Sequence, residues 1–422
     1  MPISFASYDK DSNSMTGNCI LCGGDDLEIA LDLGETPLAN GFLSAAELEN
    51  EIEVAHQLRL AICPTCGHVQ LADLVPPAEL FADYLYISSN STTLIEHLGD
   101  LAHDMTDRYE LGDRDLVVDV GCNDGVLLEH FKANGVRTLG IDPAENLAPL
   151  SRARGLDVVV DFFGTTVANS IRGRYGPASA ITMTNSFPHI PDLSDLLSGV
   201  CELLGPGGVF AIQAHYIVDM FEQAAFDTIY HEHVSYWSLN AIKRLLSKFD
   251  LEPVRVERLP IHHGQLRVYV QRSGNGAIDG SVDKILELER ELGIVEGKPL
   301  REFAAAASRI RRDLQAFLRQ AKADGKSVAA YGAPAKGSTL LNYLELGAND
   351  LLWIADISSL KQGRFMPGSH IPIVSPLRIL DDMPDYLLLL AWNFAEEIIS
   401  QNQQYVERGG RFVLPLPEVR VL

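Results

Sequence analysis

Long apolar runs are absent from this chain of 422 residues. YLLLLAWNF at 386–394 is among the longest, and it falls well short of the roughly 18–20 residues that a membrane-spanning helix needs. It reads as a buried strand running into a helix start. Runs rich in lysine and arginine are absent too. Against 57 acidic residues stand 34 basic ones, a net charge of −23. That makes nucleic acid a poor partner, because affinity for it rests largely on neutralising phosphates. The first residues, MPISFASYDKDSNSMTGN, have neither the basic start nor the apolar centre of a secretory leader, so residues 1–18 are expected to form a mobile tail. No fixed-period repeat, low-complexity segment or long exposed coiled-coil seam stands out. These absences lead to the expectation of a cytoplasmic, monomeric protein that engages neither membrane nor nucleic acid. What is present, 46% hydrophobic and 22% charged residues, suits a globular chain with real cores. The length allows two or three domains.

Cysteine is scarce, with six in the chain, but four of them are placed in a pattern. Cys19, Cys22, Cys63 and Cys66 form two C-x2-C pairs, CILCGG and CPTCGH. In a reducing compartment this spacing reads as a metal site rather than as disulfides. The glycines after each pair let the backbone turn so that its N–H groups face the thiolates. Four thiolates suit a tetrahedral Zn²⁺ that contributes folding energy and leaves no open position for chemistry. An inserted segment at 31–60 must fold back between the pairs. His68 is not needed once four sulfurs fill the shell, and Cys122 and Cys201 read as small buried hydrophobes.

Residues 115–215 alternate strand and helix patterns, with strands at 115–122, 136–142, 156–163, 178–185 and 205–214. That argues an α/β fold with a parallel, doubly wound sheet. In VVDVGCNDGVLL (117–128) a strand runs into Asp119, Gly121, Asn123 and Gly125 and then a helix. Ligands of such sheets sit beyond the C-terminal strand ends. This is not G-x-G-x-x-G, and its carboxylates would repel a pyrophosphate. A cationic ligand such as S-adenosylmethionine fits instead. Asp142, at the end of the second strand, is placed to accept both ribose hydroxyls. Asp161 and Phe162 suit the adenine edge and face, and Asn185 follows the fourth strand. After a long helical stretch at 283–323 the α/β pattern restarts. There a Gly-rich turn, Lys336, Gly337 and Ser338 stand at a helix start, an arrangement that favours an anion, with Asp356 and Lys361 nearby. The expected layout is a four-cysteine zinc segment (19–75), a Rossmann-like methyltransferase domain (76–282) and a smaller Rossmann-like unit (283–422).

These segments, with TNSFPHIPDL (184–193), YHEHVSYWS (230–238), HHGQLRVYV (262–270) and YGAPAKGSTLLNY (331–343), resemble the sugar C-methyltransferases that act on nucleotide-linked 4-keto-deoxysugars. The resemblance covers about residues 19–420. It implies methylation at C3 of a dTDP-linked 4-keto sugar, a structural zinc, S-adenosylmethionine in the middle domain and the nucleotide in the C-terminal one. It maps functional residues onto Tyr84, Asn185, His189, Tyr230, Glu232, His233 and a histidine at 262 or 263. Two departures are Pro188, where the family usually has Ala, and His262-His263-Gly264-Gln265-Leu266-Arg267, where it usually has His-Gly-Gly-Ser-Leu-Arg.

Carbon methylation needs a carbanion, and a proton next to a ketone is acidic enough for a side-chain base if the enolate oxygen is stabilised. Histidine, with an ordinary pKa of about 6.5, suits this role. His233 is the expected base, with Tyr230 and Glu232 orienting it and the sugar and His189 donating to the 4-keto oxygen. The two histidines can exchange these roles, and His231 reads as structural. Reading 229–237 as a metal site would require a third ligand, and none is evident nearby. An extended strand there would put Tyr230, Glu232 and Val234 on one side and His231 and His233 on the other. Tyr84 is expected in a flap over the methyl donor and sugar. His263, Arg267, Lys336, Gly337, Ser338, Asp356 and Lys361 are expected at the substrate.

Overall fold

The computed structural model describes residues 15–50, 53–81, 84–261 and 264–422. His263 and most of the expected tail lie outside the described residues.

Among the described residues three larger sheets carry the chain, beside a two-stranded pairing of Met15–Thr16 with Asp73–Leu74. The first has four strands in the order Ser235–Tyr236, Val69–Leu71, Ala55–Ile62, Glu28–Pro37, all antiparallel. Its outer strand, Ser235–Tyr236, comes from far along the sequence, immediately after the histidine-rich stretch. The middle sheet has seven strands in the order 251–259, 265–272, 204–215, 178–184, 116–120, 137–141, 158–159. The five that alternate with helices pair in parallel, as expected. Leu251–Leu259 and Gln265–Arg272 add an antiparallel edge, so the sheet is mixed. The third sheet runs 373–374, 354–355, 328–331, 386–389, 411–414, 420–421, parallel except at its last pair.

The middle sheet is buried on both faces, which is why its strands read as continuous apolar runs. In Leu116–Val120, Leu116, Val118 and Val120 join one core and Val117 the other. Phe210 and Ile212 alternate in the same way with Val209 and Ala211. The second core is closed by Thr92–Arg108, whose buried Leu94, Leu98, Leu101, Ala102 and Met105 recur at helical spacing. Ser91 caps that helix by accepting from the Leu94 N–H. Each fully buried side chain of this size contributes roughly 1.5–3 kcal/mol.

Several expected elements come out shorter. The third strand contracts to Val158–Val159. There the Asp161 side chain accepts from the next backbone N–H, Phe162, at 2.8 Å, a local bond that competes with pairing along a strand. The helical stretch at 283–323 is two helices, Gly280–Leu292 and Lys298–Ala323. They are divided where Gly293 and Gly297 take φ of +67° and +65°, a conformation open to glycine at no steric cost.

Candidate active site

One cavity of about 760 Å³ runs from the loop after Leu116–Val120 to the start of the helix Ala335–Tyr343. At its first end the chain turns through Gly121 (φ +77°) and Asn123 (φ +53°). A Cβ on Gly121 would lie 2.5 Å from that of Ser186, so glycine lets two loops meet here. Asp119 lines the cavity but is otherwise buried, and its Oδ1 accepts from Thr182 at 2.7 Å. Burial raises its carboxyl to about 7. Asp142 accepts from the backbone N–H of Asn123 at 2.8 Å and of Ala144 at 2.9 Å, which stiffens the loop. Asn123, Asp142, Asp161, Phe162 and Asn185 all line the cavity. Gly125 does not; it starts a helix against Leu156. Three carboxylates around a space closely approached by backbone fit a bound cation.

The histidine-rich stretch is a turn. The His233 N–H donates to the Tyr230 carbonyl at 2.9 Å, and the two side chains, placed on opposite sides by an extended reading, come together. The Tyr230 hydroxyl lies 2.9 Å from His233 Nε2. His233 Nδ1 lies 2.8 Å from the Thr228 carbonyl. A carbonyl can only accept, so Nδ1 carries the hydrogen and Nε2 receives the tyrosine's. The His233 ring stacks on His189 at 5.2 Å and tilts against His215 at 4.9 Å. Burial draws His233 down to about 3, with His189 adding to the effect; burial draws His189 equally low, with His215 adding. These histidines are therefore neutral near pH 7. Glu232 is buried beside them, accepting from Asn40 at 2.6 Å and Tyr84 at 3.1 Å, and burial raises it to about 7. Tyr84 lines the cavity, and its backbone is pinned to Asn146.

The turn is fastened from both sides. Trp392 Nε1 donates to Asp227 at 2.7 Å and Thr339 Oγ1 to the Ile229 carbonyl at 2.9 Å. From the other side the Leu71 N–H donates to the Val234 carbonyl at 3.0 Å.

At the far end of the cavity Lys336 and Lys361 line the wall. Lys336 sits 4.5 Å over the Trp392 ring, and burial lowers its ammonium to about 8. Lys361 donates to the Ala333 carbonyl at 2.7 Å, and burial lowers it as well. Four residues expected at the substrate do not line the cavity. Gly337 packs against Leu390, and the buried Ser338 hydroxyl is 3.2 Å from Asn342 Nδ2. Asp356 accepts from the N–H groups of Ala333 and Ser358, holding the loop beneath the lysines. Arg267 is buried in a hydrogen-bonded network with Gln213, His97 and Glu257, which occupies its guanidinium. His215, Thr228, Asn40 and Phe81, which stacks on His189, were not anticipated. The position of His215 at the C-terminal end of a central strand was the available signal.

Cys19, Cys22, Cys63 and Cys66 bring their sulfurs within 4.8 Å of one another. The Cys19–Cys66 and Cys22–Cys63 separations are both 3.5 Å. A tetrahedron with Zn–S of about 2.3 Å has edges of about 3.8 Å, so the donor set fits Zn²⁺. Gly67 turns at φ +71° against Val295. His68 is buried away from the sulfurs, 3.3 Å from Ser235.

A carboxylate-lined loop at the strand ends of a mixed α/β sheet, opening on neutral histidines, defines an S-adenosylmethionine-dependent methyltransferase with a separate zinc site. Three family profiles match in succession: "Putative zinc binding domain" at 19–81, "Methyltransferase domain" at 94–256 and "C-methyltransferase C-terminal domain" at 260–417. The C-methyltransferase NovU of Streptomyces niveus is 39% identical over 405 residues, 96% of each chain. The chain belongs to this C-methyltransferase family. A ubiquinone biosynthesis O-methyltransferase of Xanthomonas oryzae is 33% identical over 94 residues, 22% of this chain and 39% of its own. Among solved structures, an S-adenosylmethionine-dependent methyltransferase from Clostridium acetobutylicum covers 43% of this chain and 92% of its own at 16% identity, with a TM-score of 0.35. Among the described residues no helix is long and apolar enough to cross a membrane.

Proposed function

We propose that this C-methyltransferase removes the C3 proton of a nucleotide-linked 4-keto-deoxysugar, with dTDP as the nucleotide, and methylates the resulting enolate carbon. The observation that carries the reading is the joining, in one cavity, of a cation-suited loop, a Tyr230–His233 pair and two buried lysines. Asp119, Asn123, Asp142, Asp161 and Phe162 hold S-adenosylmethionine, which supplies a sulfonium methyl to an attacking carbanion. Lys336 and Lys361 meet the two phosphates. His233 enters neutral with its basic nitrogen on the Tyr230 oxygen, so the two act together: the tyrosine oxygen takes the C3 proton as its own passes to Nε2. The electron pair left behind moves into the carbonyl, and His189 donates to the oxygen that becomes negative. Glu232, held by Asn40 and Tyr84, fixes the turn that carries the pair. Zinc stays structural, and the reading sets the protein in the cytoplasm as a monomer acting on a small molecule.

The test is incubation with S-adenosylmethionine and a dTDP-4-keto-deoxysugar in D₂O, read by mass spectrometry. A product heavier by one methylene unit, with deuterium entering recovered substrate at C3, is the expected result. Methyl gain without C3 exchange in any recovered substrate would favour a hydroxyl acceptor instead. Neither change would remove the sugar from the proposal.

A further inference from the structure

Behind the cavity wall lies a row of buried side chains that the reaction as described does not use. Gln265 and Gln213 are 0% and 1% exposed and Arg267 is 5% exposed. They sit on neighbouring antiparallel strands, with Gln213 paired to Arg267 in register. Arg267 Nε donates to Gln213 Oε1 at 3.0 Å. Gln213 Nε2 donates to Gln265 Oε1 at 2.6 Å. Gln265 Nε2 donates to Asn185 Oδ1. A side-chain amide offers oxygen on one side and N–H on the other, and either orientation fits the same outline. A guanidinium only donates, so its Nε–H, aimed at Gln213, requires an oxygen there, and His97 Nε2 lies 3.0 Å from that same oxygen. With Arg267 at one end, Gln213 must turn its oxygen toward it, Gln265 must follow, and Asn185 must present its oxygen to Gln265. Reversing any one amide would set two donors face to face.

The last link is the one that matters to the cavity. Asn185 lines it, and its φ is +64°. Its backbone N–H donates to the Gln213 carbonyl at 2.8 Å. With Oδ1 taken by Gln265, its Nδ2 hydrogens are left, and among the described residues no acceptor meets them. Asn185 lines the same cavity as its chain neighbours Ser186, which approaches the loop at Gly121, and His189, which stacks on His233. The amide therefore faces the same cavity as His189, Tyr230 and His233, where the reading above puts the acceptor's carbonyl.

We propose that Arg267, Gln213 and Gln265 form a directional relay that locks the Asn185 amide with its N–H groups toward the cavity, as a donor to the enolate oxygen. Asn185 then acts on the substrate, beside His189, rather than on the cofactor. Gln265 is a positioning residue, and a change there redirects a donor without touching a reacting atom. A fixed donor of this kind matters because it is oriented before charge develops. This inference rests on the enolate reading given above.

Two measurements on the full chain test it. The first is a crystal structure at atomic resolution, where C–O and C–N bonds of about 1.23 and 1.33 Å separate. Asn185 Nδ2 on the cavity side is expected; Oδ1 there would overturn the relay. The second compares Gln265→Glu with Gln265→Met. Burial raises carboxyls here to about 7, so exchange is read at pH 9, where an ionised glutamate keeps the shape and still accepts from Gln213 but has no hydrogen for Asn185 and turns that amide around. Methionine merely releases it. The relay predicts that Gln265→Glu lowers the C3 exchange rate by about 100-fold, the usual loss for one oxyanion donor. Gln265→Met falls less, and both keep the melting shift given by S-adenosylhomocysteine. A packing role would reverse the order, because glutamate is the closer isostere. Exchange by Gln265→Glu within about 3-fold of the wild type, or loss of the melting shift in both variants, would overturn the proposal. If the wild type exchanges no 4-keto sugar, the functional reading falls, while the amide direction is still decided by the crystal structure.

Discussion

Replacing Tyr230 by phenylalanine separates a cooperating pair from a lone histidine. The change removes one oxygen and keeps the ring, which lies 4.0 Å from that of His233. Two costs follow, and they differ in size. His233 Nε2 loses the Tyr230 hydroxyl that donates to it, and an unpaired buried acceptor costs about 1–3 kcal/mol of stability. If the tyrosine oxygen takes the C3 proton, the variant also loses general-base catalysis, worth about 10²–10⁴ in rate. At about 1.36 kcal/mol per decade, that is about 3–5 kcal/mol in the barrier. The rate should therefore suffer more than the fold. The assay is C3 deuterium exchange at saturating substrate, with the melting shift from S-adenosylhomocysteine as the control for folding and cofactor binding. Exchange down by 10² or more with the shift intact is the expected outcome. If Tyr230→Phe exchanges within about 5-fold of the wild type, the reasoning is wrong and His233 works alone. A rate above the wild type would mean that the hydroxyl shields the base.

Asp119 ties stability to pH. Its carboxyl is raised from an ordinary 3.8 to about 7 by burial, so the folded state holds a proton that the unfolded chain releases. The stability it contributes is complete below about 3.8 and lost as pH rises through about 7, up to roughly 4 kcal/mol. Asp119→Asn should therefore melt higher than the wild type at pH 8 without ligand, match it near pH 4 and bind S-adenosylmethionine more weakly; equal melting at pH 8 would count against the shift. Lys336→Ala should raise KM for the nucleotide-linked substrate by about 10–150-fold, the equivalent of a charged hydrogen bond of about 1.5–3 kcal/mol, and leave the cofactor melting shift unchanged. A strong chelator should release one zinc per chain and lower the melting temperature sharply, since zinc binding by such sites carries on the order of 10 kcal/mol; a metal-free protein that melts at the same temperature would refute a structural role.

Much of the site was legible because short-range chemistry wrote it into spacing. Two C-x2-C pairs need no tertiary contact to announce themselves, and Asp119-x-Gly121 announces a strand end. Tyr230 was expected to orient His233, but an extended strand would have set the two on opposite sides; one hydrogen bond from His233 N–H to Tyr230 O makes the stretch a turn and lets them meet. Asn40 and Phe81 were missed because they reach Glu232 and His189 across more than a hundred residues of sequence. Arg267 carries the right charge for a substrate ligand, and only its pairing with Gln213 shows that it points elsewhere. Gly337 reads like part of an anion loop until its packing on Leu390 is seen.

The turn that carries the proposed base is tied on one side to Asn40 and Leu71 and on the other to Thr339 and Trp392. It behaves like the keystone of an arch: the segments on either side do not react, yet they determine where the reacting atoms stand. Recombining this enzyme with a relative is therefore not a matter of exchanging interchangeable parts. A chimaera that imports a foreign C-terminal third, with every reacting side chain native, would still inherit a mis-seated base unless the counterparts of Thr339 and Trp392 travelled with it. Changes in acceptor preference along this family would then have to arise in two parts of the chain together, or stay within the narrow set that keeps those ties.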